Sequence, residues 1–168
     1  MKIAILSDVH DHRDNLSKCI TNIQSQSVDH IIHLDYGAPS ACVKPLVELR
    51  IPLTGIRNND GEAWMIMKLF EADHAEILRT NYGQIELSTK IFMTHYDDLA
   101  RIVALSEYDL VLYGHNHRRD SHLVDTLVAN PGAIYGDRES ASYAIYDTET
   151  HLIVHIELME TLNNHQSS

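Results

Sequence analysis

The sequence predicts an α/β fold in which two sheets pack face to face with helices outside them. Three observations carry this. Strand-like apolar runs alternate with helix-like stretches three times as far as Ala72, which points to a largely parallel sheet. The remainder is dominated by short apolar or alternating runs. Together these amount to about ten strands, near the limit of one open twisted sheet, so two packed sheets bury them better.

In order, "KIAIL" (residues 2–6) is a short apolar run suited to a fully buried strand. From Arg13 to Gln26, Leu16, Ile20 and Ile23 recur at helical spacing, with Asp14 or Asn15 available as a cap. "HIIHL" is the second strand, and residues 39–49 read as a helix with Pro39 in its first turn. "IPLTGI" is the third strand, and Gly61 to Ala72 a short amphipathic helix. "AEILRT", "NYGQ", "IELS" and "KIFMT" read as strands joined by a tight turn at Tyr82-Gly83 and a short link at Thr89. Asp97 to Glu107 is read as a helix carrying Leu99, Ile102, Val103 and Leu105, and "DLVLY" as a buried strand. "HLVDTLVAN", "SYAIYDT" and "HLIVHIEL" complete the strands, the last two joined by a turn near Glu149-Thr150. No repeat, low-complexity tract or linker divides the chain, so residues 1–160 are expected to form one domain and 161–168 a flexible tail.

The totals narrow the function. A net charge of −11 argues against a nucleic-acid backbone as partner, since such binders carry a basic face. An acidic protein that handles an anion needs local positive charge, which bound metal ions supply. Cys19 and Cys42 lie in helix-like stretches without a CxxC pattern and read as buried small hydrophobes of a reducing compartment. No apolar run suits a signal peptide or membrane span, so a soluble, cytoplasmic protein is expected.

Twelve histidines are unusual for this length, and histidine is the commonest metal ligand. Candidate ligands fall just after predicted strands: Asp8 and His10 in "SDVHDH", Asp35, the segment "IRNND" with Asn58, His95, and His115 and His117 in "GHNH". Strand ends of an open α/β sheet converge on one rim, where ligands bind. At an extended strand end, residues i and i+2 point to one side, so D-x-H and H-x-H can each present two side chains to one ion. Each motif alone has an ordinary reading: Asn58-Asn59-Asp60 as a turn, His95 as a helix cap, GHNH as a polar loop. Their joint occurrence at strand exits favours a metal site. Mixed imidazole, carboxylate and amide oxygen suits manganese, iron or zinc. Asp11, Asp97 and Asp98 are candidate orienters of ligand imidazoles or simply mark helix N-termini, and His12, near the same rim, reads equally as a substrate contact or a solvent-exposed residue. His30, His33, His74, His122, His151, His155 and His165 show no ligand spacing.

These residues resemble the small single-domain calcineurin-like metallophosphoesterases of the YfcE type, over essentially the whole chain from "SDVHDH" through "GHNH" to "NPGA" (130–133). The resemblance implies a four-layer αββα sandwich of two mixed β-sheets flanked by helices. It implies one divalent ion held by Asp8, His10, Asp35 and His117. A second would share Asp35 and add Asn58, His95 and His115. Manganese is the expected metal, with iron, zinc or nickel as alternatives. A bridging hydroxide would attack phosphorus in line, with no other catalytic side chain beyond Asn58 and His95 as phosphate neighbours. Four metal charges offset by Asp8, Asp35 and hydroxide would leave the site positive in an acidic protein.

Two departures from the family pattern stand out. The position after the metal-binding asparagine, often histidine in relatives, is Asn59, which cannot act as an acid near pH 7. Phosphodiesters with good leaving groups are therefore expected to be better substrates than alkyl monoesters. Further, "HLDY", "IRNND" and "THYDD" each lack a glycine that the family places beside Asp35, Asn58 and His95. All three losses touch the second metal's ligands, so that site is expected to be weaker or to need loop rearrangement, the alternative being that the loops absorb the deletions. The leading reading is a metal-dependent phosphodiesterase of small phosphate esters, with no membrane contact and with a homo-oligomer suggested by the resemblance. The alternatives are a phosphomonoesterase, a nucleotide pyrophosphohydrolase, or a non-catalytic scaffold of this fold, as in the retromer subunit.

Overall fold

The computed structural model describes residues 1–34, 40–56, 73–78, 80–105 and 107–159. A six-stranded sheet has the order β11-β10-β1-β2-β3-β4 and a five-stranded sheet the order β5-β6-β7-β9-β8. The first contains β1 (Lys2–Leu6), β2 (His30–His33), β3 (Leu53–Ile56), β4 (Ala75–Leu78), β10 (Ser142–Asp147) and β11 (Leu152–Glu157). The second contains β5 (Tyr82–Glu86), β6 (Lys90–Thr94), β7 (Leu110–Leu112), β8 (Arg119–Leu123) and β9 (Leu127–Pro131). Strands β1 to β4 pair in parallel, as do β6, β7 and β9, while β10 joins β1 antiparallel. Both sheets are therefore mixed.

Side-chain alternation builds the layers. On β1, Ile3 and Ile5 face the second sheet, while Ala4 and Leu6 face α1 (Arg13–Ser25) and α2 (Ser40–Glu48). Ile91, Met93, Leu110 and Leu112 close the space between the sheets from the other side. Phe92 and Val111, one residue out of phase, pack against Ala100 and Ala104 at α3 (Asp97–Val103). Each fully buried aliphatic side chain contributes about 1.5–3 kcal/mol. The order is helices, sheet, sheet, helix, as expected.

Four local expectations need correction. Tyr82-Gly83 is no turn but the start of β5, and a Cβ on Gly83 would stand 2.1 Å from Leu78 Cδ1. The glycine admits that β4 side chain instead of bending the chain. "HLVDTLVAN" splits into β8 and β9, an antiparallel hairpin closed by the Val124 N–H donating to Thr126 O at 3.1 Å. Helix α1 is capped by His12 rather than Asp14 or Asn15, since its first bond runs from Leu16 N–H to His12 O, and Asn15 Nδ2 instead donates to Ile134 O. The helix read from Asp97 to Glu107 ends at Val103. Helix α2 runs through Pro45, while Pro39, the helix at 61–72 and the tail at 161–168 lie outside the described residues. Cys19 and Cys42 are buried free thiols, and burial pushes the Cys42 thiol up to about 11. Among the described residues, no helix is long and apolar enough to cross a membrane.

Candidate metal centre

Strands β1, β6 and β7 each end where the chain passes from buried apolar residues to a ligand-type side chain. Asp8 lies two residues beyond β1 and is 1% exposed. Its two oxygens have separate tasks. Oδ2 accepts Ser7 Oγ–H at 2.6 Å and the His115 N–H at 3.0 Å. Oδ1 faces His117 Nε2 at 3.5 Å, His10 Nε2 at 3.8 Å and His95 Nε2 at 3.9 Å. Among the described residues, the ion-pair partners of this buried carboxylate are histidines alone.

The histidines fall into two pairs. His10 Nε2 and His117 Nε2 approach to 3.1 Å, and His115 Nδ1 and His95 Nε2 to 3.2 Å. The ligand atoms of Asp8, His10 and His117 all lie within 4.8 Å of one another, close enough for one ion to share. His95 forms part of the floor, 3% exposed, while His10 and His115 are exposed at the mouth. The N, N, O donor set, with one carboxylate oxygen and two ring nitrogens convergent and otherwise competing for protons, fits a divalent transition ion.

The extended-strand reading fails for both D-x-H and H-x-H, although the ligand atoms of Asp8 and His10 still lie within 4.8 Å of each other. Asp8, His10, Asp11, His115 and His117 all have positive φ, between 43° and 69°, so neither motif is extended backbone. The turns send His115 toward His95 and His117 toward His10. Left-handed non-glycine residues cost conformational energy and gather at functional sites. Gly114 supplies the close approach: a Cβ there would meet Ser7 Oγ at 2.1 Å and Asp8 Oδ2 at 3.0 Å. Buried Asn130 braces the same loop. Its Nδ2 donates to Gly114 O and Asn116 Oδ1, and its Oδ1 accepts the Gly132 N–H.

Asp35 and Asn58, with Asn59 and the glycine-poor segments beside them, lie outside the described residues. Of the expected orienters, Asp11 pairs with Arg13, whose hydrogen bond holds its carboxyl below the usual range, and Asp97 pairs with Arg101. Asp98 is exposed at the start of α3. The carboxylate that hydrogen-bonds one of the candidate ligand imidazoles is Asp137, whose Oδ1 lies 2.6 Å from His117 Nδ1. Burial alone would raise its carboxyl, but the hydrogen bond with His117 holds it below its usual value. Two tyrosines flank the cluster. Tyr135 lies 5.4 Å from the His10 ring and 5.9 Å from His12, and Tyr96 lies 5.2 Å from both His95 and His115. Neither tyrosine nor Asp137 had a spacing signal. The proline-glycine at 131–132 marks only that the chain turns back toward the site.

Two sheets with histidines and a buried carboxylate at the ends of their parallel strands match a known class. Residues 1–151 match the calcineurin-like phosphoesterase superfamily domain. The chain belongs to that superfamily. It is 32% identical to phosphodiesterase MJ0936 of Methanocaldococcus jannaschii over 142 residues, which is 81% of this chain and 86% of that protein. Among solved structures, a novel archaeal phosphodiesterase superposes with a TM-score of 0.83 at 30% identity, over 94% of this chain and 99% of that one. YfcE, a phosphoesterase from E. coli, superposes with a TM-score of 0.68 over 95% and 100% of the two chains. Vps29 from Entamoeba histolytica reaches 0.66 over 94% and 99%. At 20% and 12% identity, these last two support the fold alone.

Proposed function

We propose that this phosphoesterase-superfamily chain is a metal-dependent phosphodiesterase of small phosphate esters. The observation that carries the reading is the approach of Asp8 Oδ1, His10 Nε2 and His117 Nε2 to within 4.8 Å of one another, Asp8 being a buried carboxylate whose ion-pair partners among the described residues are histidines. The similarity, at 30% identity or above, to a sequence relative and a solved structure named as phosphodiesterases supports the substrate class.

In this reading Asp8, His10 and His117 would hold one divalent ion and Asn58, His95 and His115 a second, with Asp35 expected to contribute to both. Manganese is the metal proposed. Ions bound there would supply Lewis acidity to a phosphoryl oxygen and make a water molecule acidic near neutral pH. Asp8 presents one oxygen to the site, because Ser7 and the His115 amide occupy the other. His10 and His115 are exposed at the mouth of the site, while His95 lies in its floor. Asn59 follows Asn58 and offers no proton to a leaving oxygen near pH 7. Esters whose leaving groups depart without help are therefore the preferred substrates.

Hydrolysis of bis-p-nitrophenyl phosphate compared with an alkyl phosphomonoester tests this. The diester is expected to be turned over faster with manganese present. A strong preference for the alkyl monoester would replace this reading with a phosphomonoesterase.

A further inference from the structure

We propose that Asp137 is a positioning residue for the metal site, locking His117 in the tautomer and ring orientation that ligation requires. The inference rests on the metal-dependent reading above and extends it to a residue outside the ligand motifs. Asp137 Oδ1 stands 2.6 Å from His117 Nδ1. An ionised carboxylate is only an acceptor, so Nδ1 carries the hydrogen and Nε2 of the neutral ring keeps its lone pair. That lone pair points toward Asp8 Oδ1, 3.5 Å away, and His10 Nε2, 3.1 Å away.

The backbone around Asp137 is held so that it can do this. Segment 132–141 leaves β9 and is tied to the Asp8 turn by two bonds, from Ile134 N–H to Ser7 O and from Tyr135 N–H to Asp8 O. Gly136 has φ 74°, and a Cβ there would meet Ala141 N at 2.9 Å, so the chain reverses tightly just before Asp137. Just after it, Glu139 accepts from both the backbone N–H and the Nε–H of Arg119 on β8. Tyr135, 6.5 Å from the His117 ring centre, walls the same imidazole.

Among the described residues, the other clustered histidines have no such anchor. His95 Nδ1 is buried without a hydrogen-bond partner, and His10 and His115 bond through the nitrogen that faces another histidine. His117 is thus the ligand whose outer nitrogen is committed. Without Asp137 its ring would populate both tautomers and both flips, and part of the binding free energy would go into ordering it.

Calorimetric titration of manganese into the purified chain and its variants tests the assignment, with long-range ¹⁵N–¹H correlation spectra of the metal-free proteins reporting the His117 tautomer. The wild type is expected to show the Nδ1–H form. Asp137→Ala is expected to show mixed tautomers and to bind manganese 10–100-fold more weakly, the loss typical of an outer carboxylate partner, at unchanged Tm. Asp137→Asn, which keeps an acceptor without the charge, should lose less. If the Ala variant does not fold, the Asn variant decides, and binding weakened by more than twofold supports the role. Variants that bind within twofold of wild type overturn it while leaving the metal site standing. A wild-type chain that binds no manganese overturns both readings.

Discussion

His10 Nε2 and His117 Nε2 stand 3.1 Å apart across 107 residues of sequence, and Asp8 Oδ1 lies 3.8 Å from the first and 3.5 Å from the second. Two ring nitrogens this close either share one proton or share one cation. The carboxylate beside them, buried at 1% exposure, gains from a cation far more than from a single proton between neutral rings. This relationship underlies the functional reading.

Replacing either histidine by alanine therefore removes a ligand. We expect His10→Ala and His117→Ala each to lower manganese-dependent diester hydrolysis by at least about 100-fold, beyond the loss that outer partners cause. His10 is 47% exposed in its side chain, so its loss should leave Tm nearly unchanged. Hydrolysis rates and thermal melts on the same samples check both halves.

Gly114→Ala should act through sterics. The new Cβ meets Ser7 Oγ, which can move only by giving up its bond to Asp8 Oδ2. A destabilisation of about 1–3 kcal/mol is expected from overpacking, together with a fall in activity larger than the unfolded fraction explains. Urea melts alongside rate measurements separate the two effects, and a fully active, fully stable variant would contradict the tight contact.

Stability should fall on acidification partly through His30, which is distant from the site. Burial lowers its pKa below the usual 6.5, and its Nε2 bonds Thr54 Oγ1 at 3.0 Å. The unfolded chain then binds a proton that the folded chain refuses, so stability is retained above about pH 6.5 and drains away as pH falls below it. His30→Gln is expected to show a shallower loss between pH 7 and 5 in denaturant melts. Equal slopes would show that His30 does not contribute.

Much of this organisation was legible in the sequence because period and position carry it. "KIAIL" reads as a buried strand since every residue after Lys2 packs on one side or the other of its sheet. Asp8, His95 and the GHNH histidines could be expected on one rim because parallel strands deliver their ends there. What escaped was contact across the chain. Gly83 looks like a turn residue until Leu78 of the neighbouring sheet is placed against it. The different partners of His115 and His117 depend on positive φ at residues that seldom adopt it. Asp137 lies 20 residues beyond His117 with no spacing motif, and only the fold of 132–141 brings the two together.

The most direct test of the central claim measures metal content and bis-p-nitrophenyl phosphate hydrolysis on one preparation, before and after chelation and after manganese is restored. The account predicts hydrolysis that disappears with the metal and returns with it. Hydrolysis indifferent to chelation, or a metal-loaded chain that cleaves no phosphate ester, would contradict it, and the latter would make this fold a binding module.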